Sequence, residues 1–233
     1  IYVYDPLAIT TTTTTTVVPI PVGNIISYWP LNGDSLDAIG SNDGVDTSVS
    51  YVASGGIGNV GDFTAGITSK ITVADDNSLS FGNGVTDVPF SGTIRFKLNV
   101  VGANQFLISK RNDPLDREWQ VVYQTTNNAI SIVLFDQSDA SYKITRVPVS
   151  VVKGQWYEFT WTYDGISQPR AFLNGVTEGT LLANVGTYTA MENSTQPLII
   201  GTDGWVGTNS VNGYIDEVAL FNIELTPGKV ASI

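Results

Sequence analysis

Glycoside hydrolysis needs two carboxyl groups facing one bond, so the acids of this chain are weighed first. Glu158 stands alone on the alternating stretch Trp156–Tyr163. Asp216 and Glu217 are consecutive, and regular alternation would send them to opposite faces of a strand. Asp113, Asp116 and Glu118 fall in or near a turn. None of these makes a pair at alternate positions on one face, so the expectation is no catalytic residue and no enzyme. Aromatic side chains in polar loops suggest different chemistry. Trp205 sits in the stretch Thr202–Ser210 with Asp203 and Asn209, and Tyr188 also lies among polar residues. A sugar ring stacks on an exposed aromatic face while acid and amide groups take its hydroxyls. Trp205, Asp203, Asn209 and Tyr188 are therefore the candidate glycan-binding residues. Packing is the competing role: Trp205 can close one end of a sandwich, and Trp119 reads as core. Trp29, Trp156 and Trp161 read as structural.

Composition removes several classes outright. The chain has no cysteine and no histidine, which excludes disulfides, thiolate and Ser-His-Asp chemistry, and ordinary zinc sites. With 11 basic against 22 acidic side chains the net charge is -11, so a nucleic acid would be repelled while divalent cations would be attracted. The longest apolar runs fall far short of the roughly 20 residues that span a bilayer.

The elements that must position these groups are strands. In Gln155–Gly175 the residues Tyr157, Phe159, Trp161 and Tyr163 alternate with Trp156, Glu158, Thr160 and Thr162, which predicts a strand with a buried aromatic face. Asp164-Gly165 and Asn174-Gly175 supply turns on either side of a short second strand, Arg170–Leu173. Gly92–Val100 alternates likewise, with Ile94, Phe96, Leu98 and Val100 inward. Further strands are expected at Gln105–Lys110, Glu118–Gln124, Ala129–Phe135, Ser141–Val147, Leu198–Gly201 and Gly213–Phe221, with a short helix after Leu225. Such spacing indicates an all-β, two-sheet antiparallel sandwich over residues 25–233.

Residues 1–24 differ from this body. Seven threonines run from Thr10 to Thr16 between Tyr/Val alternation and a Pro-containing close. β-branched residues are stiff and extended, so this is an extended Thr-rich N-terminal arm or linker. It serves either as a spacer or as a segment that self-assembles or attaches to a larger particle, by adding a strand to a neighbour's sheet edge through residues 1–22.

Three stretches together resemble the laminin-G-like, concanavalin-A-like jelly-roll family: YWPLNGDSLDAIG from Tyr28 to Gly40, QWYEFTWTYDG from Gln155 to Gly165 with Phe172–Gly175, and Ile199–Gly201 with GYIDEVALF from Gly213 to Phe221 and Leu225. The resemblance covers about residues 25–230 and departs at Tyr157, a packing position where the family usually has His. It implies a jelly-roll sandwich and a mostly non-catalytic module that binds glycans or surface proteins. Glycanases with this sandwich carry a Glu-x-Asp-x-x-Glu pattern, which this chain lacks. The resemblance also implies a structural calcium ion between opening loop and closing strand. Asp37 and Asp216 match those positions, with Asp34 nearby, although turn-forming acids exposed to water would look the same. The expected role is adhesion or binding at an extracellular, cell-surface or virion-surface location, without membrane insertion. A structural virion decoration protein or filament subunit is the alternative.

Overall fold

The computed structural model describes residues 24–112, 116–203 and 209–231. The expected N-terminal arm, Trp205 and Asp113 lie outside them. The first strands are β1 (Ile25–Trp29), β2 (Gly44–Thr47), β3 (Ser50–Val52), β4 (Val60–Asp62), β5 (Lys70–Val73), β6 (Phe90–Leu98), β7 (Gln105–Asn112) and β8 (Asp116–Gln124). There follow β9 (Ala129–Asp136), β10 (Ser141–Pro148), β11 (Trp156–Tyr163), β12 (Arg170–Leu173), β13 (Thr177–Glu178), β14 (Leu181–Leu182), β15 (Leu198–Ile200) and β16 (Gly213–Phe221). The expected short helix, α1, is Pro227–Val230.

The strands form two antiparallel sheets, as a jelly-roll sandwich requires. The first runs β13-β12-β11-β6-β16-β4-β3, with β1 pairing the C-terminal half of β16. The second runs β14-β10-β9-β8-β7-β15-β5-β2. Alternation decides what each sheet sends inward. Tyr157, Phe159, Trp161 and Tyr163 of β11, with Ile94, Phe96 and Leu98 of β6, join one core with Trp119, Val121 and Tyr123 of β8 and Ile130, Ile132 and Leu134 of β9. Trp119 and Trp161 meet there at a centroid distance of 5.8 Å. Gly92 lies directly opposite Trp161 across the β6–β11 pair, and any Cβ at that glycine would fall inside the indole. The strand is glycine at this position because the ring occupies the space a side chain would need.

Two expectations about faces need correction. Val100 is exposed, since β6 ends at Leu98. Thr160 and Thr162 face away from the core yet are buried. On that side Phe172, Ala219, Phe221, Leu225 and Val230 form a second, smaller apolar cluster, so this sheet is covered on both faces where α1 packs. Thr160 satisfies its hydroxyl there by donating to Thr93 Oγ1 at 3.1 Å.

Candidate functional site

With Trp119, Val121 and Tyr123 of β8 and Ile130, Ile132 and Leu134 of β9 turned into the core, the intervening residues point outward from the second sheet. Cross-strand register sets them in rows. One row is Ile199, Ser109, Gln120, Val133 and Ile144; the next is Phe106, Val122, Ser131 and Arg146. Beyond the first row lie Arg111, paired with Arg117, and Phe135, paired with Tyr142. The Arg111 guanidinium lies over Phe106 at 5.3 Å and over Phe135 at 5.7 Å, and that of Arg117 lies over Phe135 at 4.6 Å. Each guanidinium is attracted to the electron-rich face of the ring, which fixes both partners in orientation. Tyr142 meets the Phe135 ring edge-on. Gln120 accepts from Arg111 Nη1, and Gln124 accepts from the Ser131 hydroxyl at 3.0 Å. Rings, planar cations and amides thus share one face of an otherwise acidic chain; Phe106, Arg111, Gln120 and Phe135 are buried in it, and Arg117, Gln124, Tyr142 and Arg146 are half-buried.

A cavity of about 230 Å³ opens beside Arg117, lined by Asp116, Arg117, Gln137, Ser138, Glu192 and Ser194. Arg117 Nε donates to Gln137 Oε1 at 2.8 Å, and the Glu192 carboxylate accepts the backbone N–H groups of Gln137 and Ser138, each at 2.7 Å. These bonds hold the wall of the cavity and leave its character polar.

Of the candidate glycan residues read from sequence, Tyr188, Asp203 and Asn209 are not among those that line this cavity. Tyr188 donates its hydroxyl to Asp87 at 2.7 Å, beside Tyr163, which donates to the same carboxylate at 2.9 Å, and Lys143 Nζ sits 4.4 Å over the Tyr188 ring. Burial, with the Asp87 charge and hydrogen bond, pushes the Tyr188 phenol far up. Its polar end is committed to the fold. Asp203 is buried and accepts from Asn209 Nδ2 at 3.3 Å, so these two do meet. Sequence reasoning missed Phe106, Arg111, Arg117 and Phe135. The available signal was the strict alternation of β8 and β9, which puts those strands' polar and aromatic residues on the side opposite Trp119.

The acids fall differently again. Asp37 accepts backbone N–H groups from Tyr28, Ile39, Gly40 and Asn42, at 2.9 to 3.1 Å. Burial pushes its carboxyl up, but those donors outweigh it and hold it below the usual range. Asp34 accepts from the backbone N–H of Leu36. Both organise the loop after β1. Asp216 and Glu217, expected on opposite faces, share one. Arg95 pairs with Asp216 and Thr93 with Ala219, so β16 carries one extra residue, and Glu217 bulges out at φ 50°. Tyr28, itself on that outer side, donates to Glu217 Oε2 at 2.5 Å. Asp216 Oδ2 accepts the Ile57 N–H at 2.9 Å and lies 3.8 Å from Arg95 Nη1. The Asp216 side chain is fully buried, and among the described residues neither Asp216 Oδ1 nor Glu217 Oε1 has a hydrogen-bond partner. Burial is the main reason that the Asp216 carboxyl is pushed up to about 7, with the Glu217 charge adding to it; burial raises Glu217 as well. Among the described residues no three acids come together to hold a metal. Of the trio Asp34, Asp37 and Asp216, only Asp216 offers a buried oxygen without a partner, short of the six to eight oxygens that calcium takes.

Two sheets in this order, closed by the β16 bulge beside β1, can be set against known proteins. A family model described as the concanavalin A-like lectin/glucanases superfamily, of laminin G type, matches residues 64–231. The chain belongs to this superfamily. A search of curated proteins found no match. Among solved structures, this laminin-G-type sandwich is similar to domain 4 of AbnA, a GH43 extracellular arabinanase from Geobacillus stearothermophilus, in complex with arabinotriose. The TM-score is 0.66 at 19% identity, over 89% of this chain and 97% of that one. It is also similar to the binding domain of Paraclostridial Mosquitocidal Protein 1, with TM-score 0.66 at 16% identity over 89% and 51% of the two chains. The botulinum neurotoxin serotype D ligand-binding domain in complex with N-acetylneuraminic acid gives 0.64 at 15% over 89% and 50%. This chain thus spans about half the length of the two toxin structures. Such identities establish the shared laminin-G-type fold, and no helix among the described residues is long and apolar enough to cross a membrane.

Proposed function

We propose that this laminin-G-type sandwich is a non-catalytic glycan-binding module acting outside the cell, and that the glycan lies on the outer face of the second sheet. The observation that carries this is the half-buried Arg117 guanidinium and Tyr142 ring, braced on the buried Phe135 ring next to a polar cavity. The Tyr142 ring offers stacking area, and guanidinium, amide and hydroxyl groups give directional partners for sugar hydroxyls. The carbohydrate complexes among similar structures support the reading at the level of ligand class. On this face β8 and β9 carry Gln120, Val122, Gln124, Ser131 and Val133, with no carboxylate among them. Asp116 and Glu192 line the cavity, Asp116 accepting from Gln196 and Glu192 from the Gln137 and Ser138 N–H groups, while Asp216 and Glu217 lie under the first sheet's cover and Glu118 is tied to Lys110.

Arabinotriose and N-acetylneuraminic acid are the first probes, followed by a glycan array. Binding should weaken about tenfold in Tyr142→Ala, since a stacking contribution of about 0.5–1.5 kcal/mol and the hydroxyl's hydrogen bonding to the sugar are lost together. Binding to no glycan, or binding unchanged in Tyr142→Ala and Arg117→Ala with the fold retained, refutes this placement.

A further inference from the structure

Lys110 stands where the pattern calls for a hydrophobic residue. Register across the second sheet aligns Val73, Leu198, Lys110, Trp119 and Leu134, and every member of this row except Lys110 belongs to the main core. Its side chain is fully buried. Nζ lies 2.6 Å from Asp75 Oδ1 and 2.9 Å from Glu118 Oε1, with the carbonyls of Gln196 at 2.8 Å and Ser194 at 3.2 Å. Glu118 is the extra residue of a bulge, since Lys110 pairs with Trp119 and Arg111 with Arg117. Its side chain is also fully buried. Oε1 accepts from the Ser194 N–H at 2.9 Å and from the hydroxyls of Ser194 and Ser80 at 2.8 and 3.3 Å. Among the described residues Oε2 has no partner. Burial pushes the Glu118 carboxyl up, against the opposing pull of Lys110.

An amine nucleophile, a carboxyl carbon and a second, buried acid therefore converge. The Asp75 Cγ is bonded to an oxygen already 2.6 Å from Nζ, and rotation of the carboxyl group would bring that carbon toward the roughly 3–3.5 Å near-attack range. We propose that Lys110 and Asp75 close an intramolecular isopeptide bond, with Glu118 carrying the proton. Glu118 takes a proton from the ammonium, and the neutral Nζ adds to Cγ of the Asp75 carboxylate, one of whose oxygens takes a second proton from the same nitrogen. The tetrahedral adduct then loses one oxygen as water, with Glu118 returning the proton to the leaving group. An ammonium and a carboxylate become an amide and one water, so neither oxidant nor cofactor enters. Lys110 and Glu118 are fully buried beside Leu198 and Trp119, while the Asp75 side chain keeps 30% of its exposure, so the departing water has a way out to solvent. The bond would join residues 35 apart in sequence, tying β7 to the segment that follows β5. It would give a chain without cysteine a covalent cross-link.

Intact mass of the purified, folded chain, measured after denaturation, tests this directly. The wild-type chain is expected one water lighter than its sequence, and proteolysis should release a branched peptide joining the Asp75 and Lys110 segments. Asp75→Ala and Lys110→Ala should return to full sequence mass. Lys110→Ala leaves a hole in the core and can fail to fold, so Glu118→Gln is the decisive variant: isosteric, folded by circular dichroism, and cross-linked slowly or not at all. Asp75→Asn should reach the same amide by losing ammonia instead of water. A folded wild-type chain that keeps its full mass after prolonged incubation at acid, neutral and alkaline pH overturns the proposal and leaves a static ion cluster. Wild-type rates of cross-linking in Glu118→Gln overturn the role given to that residue.

Discussion

Replacing Asp216 with Asn should make this protein more stable at pH 8, although it deletes a charge 3.8 Å from Arg95. The Asp216 side chain is fully buried and one of its oxygens has no partner, so ionising it costs more than the Ile57 N–H and the distant guanidinium return. The folded-state value of about 7 against an ordinary 3.8 is a shift of about three units, on the order of 4 kcal/mol at 1.36 kcal/mol per unit. Between about pH 4 and 7 the native state holds a proton that the unfolded chain has released, so stability falls as pH rises through this window and levels off above it. Glu217, also raised by burial, adds a contribution of the same sign. Asp37 and Asp136, held low by backbone donors despite burial, act on the other side, losing stability only on further acidification. Asn keeps an oxygen for the Ile57 N–H and cannot ionise. Even half of the estimated penalty, about 2 kcal/mol, should raise the melting midpoint at pH 8 by several degrees for a domain of this size. Denaturation midpoints of wild type and Asp216→Asn at pH 5 and pH 8, in chelator and in calcium, measure this. A wild-type midpoint indifferent to pH, or a variant that is less stable at pH 8, would refute the reasoning. Stabilisation of wild type by calcium at pH 8, absent from the variant, would assign the charge to a cation in place of a proton.

Three other outcomes are expected. Gly92→Ala should destabilise by about 1–3 kcal/mol or prevent folding, because its methyl would collide with Trp161; urea midpoints read this, and a neutral result would contradict the packing. Tyr188→Phe should cost about 1 kcal/mol by removing one of the donors to half-buried Asp87, which keeps Tyr163 and the Met191 N–H, while leaving glycan affinity unchanged; a selective loss of binding would restore Tyr188 as a contact residue. Arg170→Ala, which removes the exposed pair with Glu178, should change stability by less than about 1 kcal/mol in a thermal melt, solvent screening having already weakened it.

Much of the fold was legible because period-2 alternation and turn residues are local signals. The stretch Trp156–Tyr163, the Asn174-Gly175 turn and the closing strand Gly213–Phe221 all stand where alternation places them. Faces were harder to read. Nothing in Asp216-Glu217 announces a bulge, since the extra residue is set by pairing with β1 and β6, far away in sequence. Lys110 reads as a surface residue until register lines it up with Leu198 and Trp119. The candidate binding face was missed for a related reason. Aromatic residues in polar loops were weighted over Phe106 and Phe135, whose flanking strands are apolar enough on both sides to read as core.

The β16 bulge also acts on how the sandwich assembles. Side-chain phase advances by one residue at Glu217, so Ile215 and Val218 both enter the core although they are an odd number of positions apart. A regular strand sliding by two residues against β6 would keep its apolar side buried. A strand with a phase break cannot, because any slide leaves one half inverted and turns Val218 and Leu220, or Ile215, toward solvent. The bulge is thus an alignment key, and it lies where β1, β6 and β16 meet. Removing Glu217 would restore a smooth strand and, with it, the freedom to pair in the wrong place.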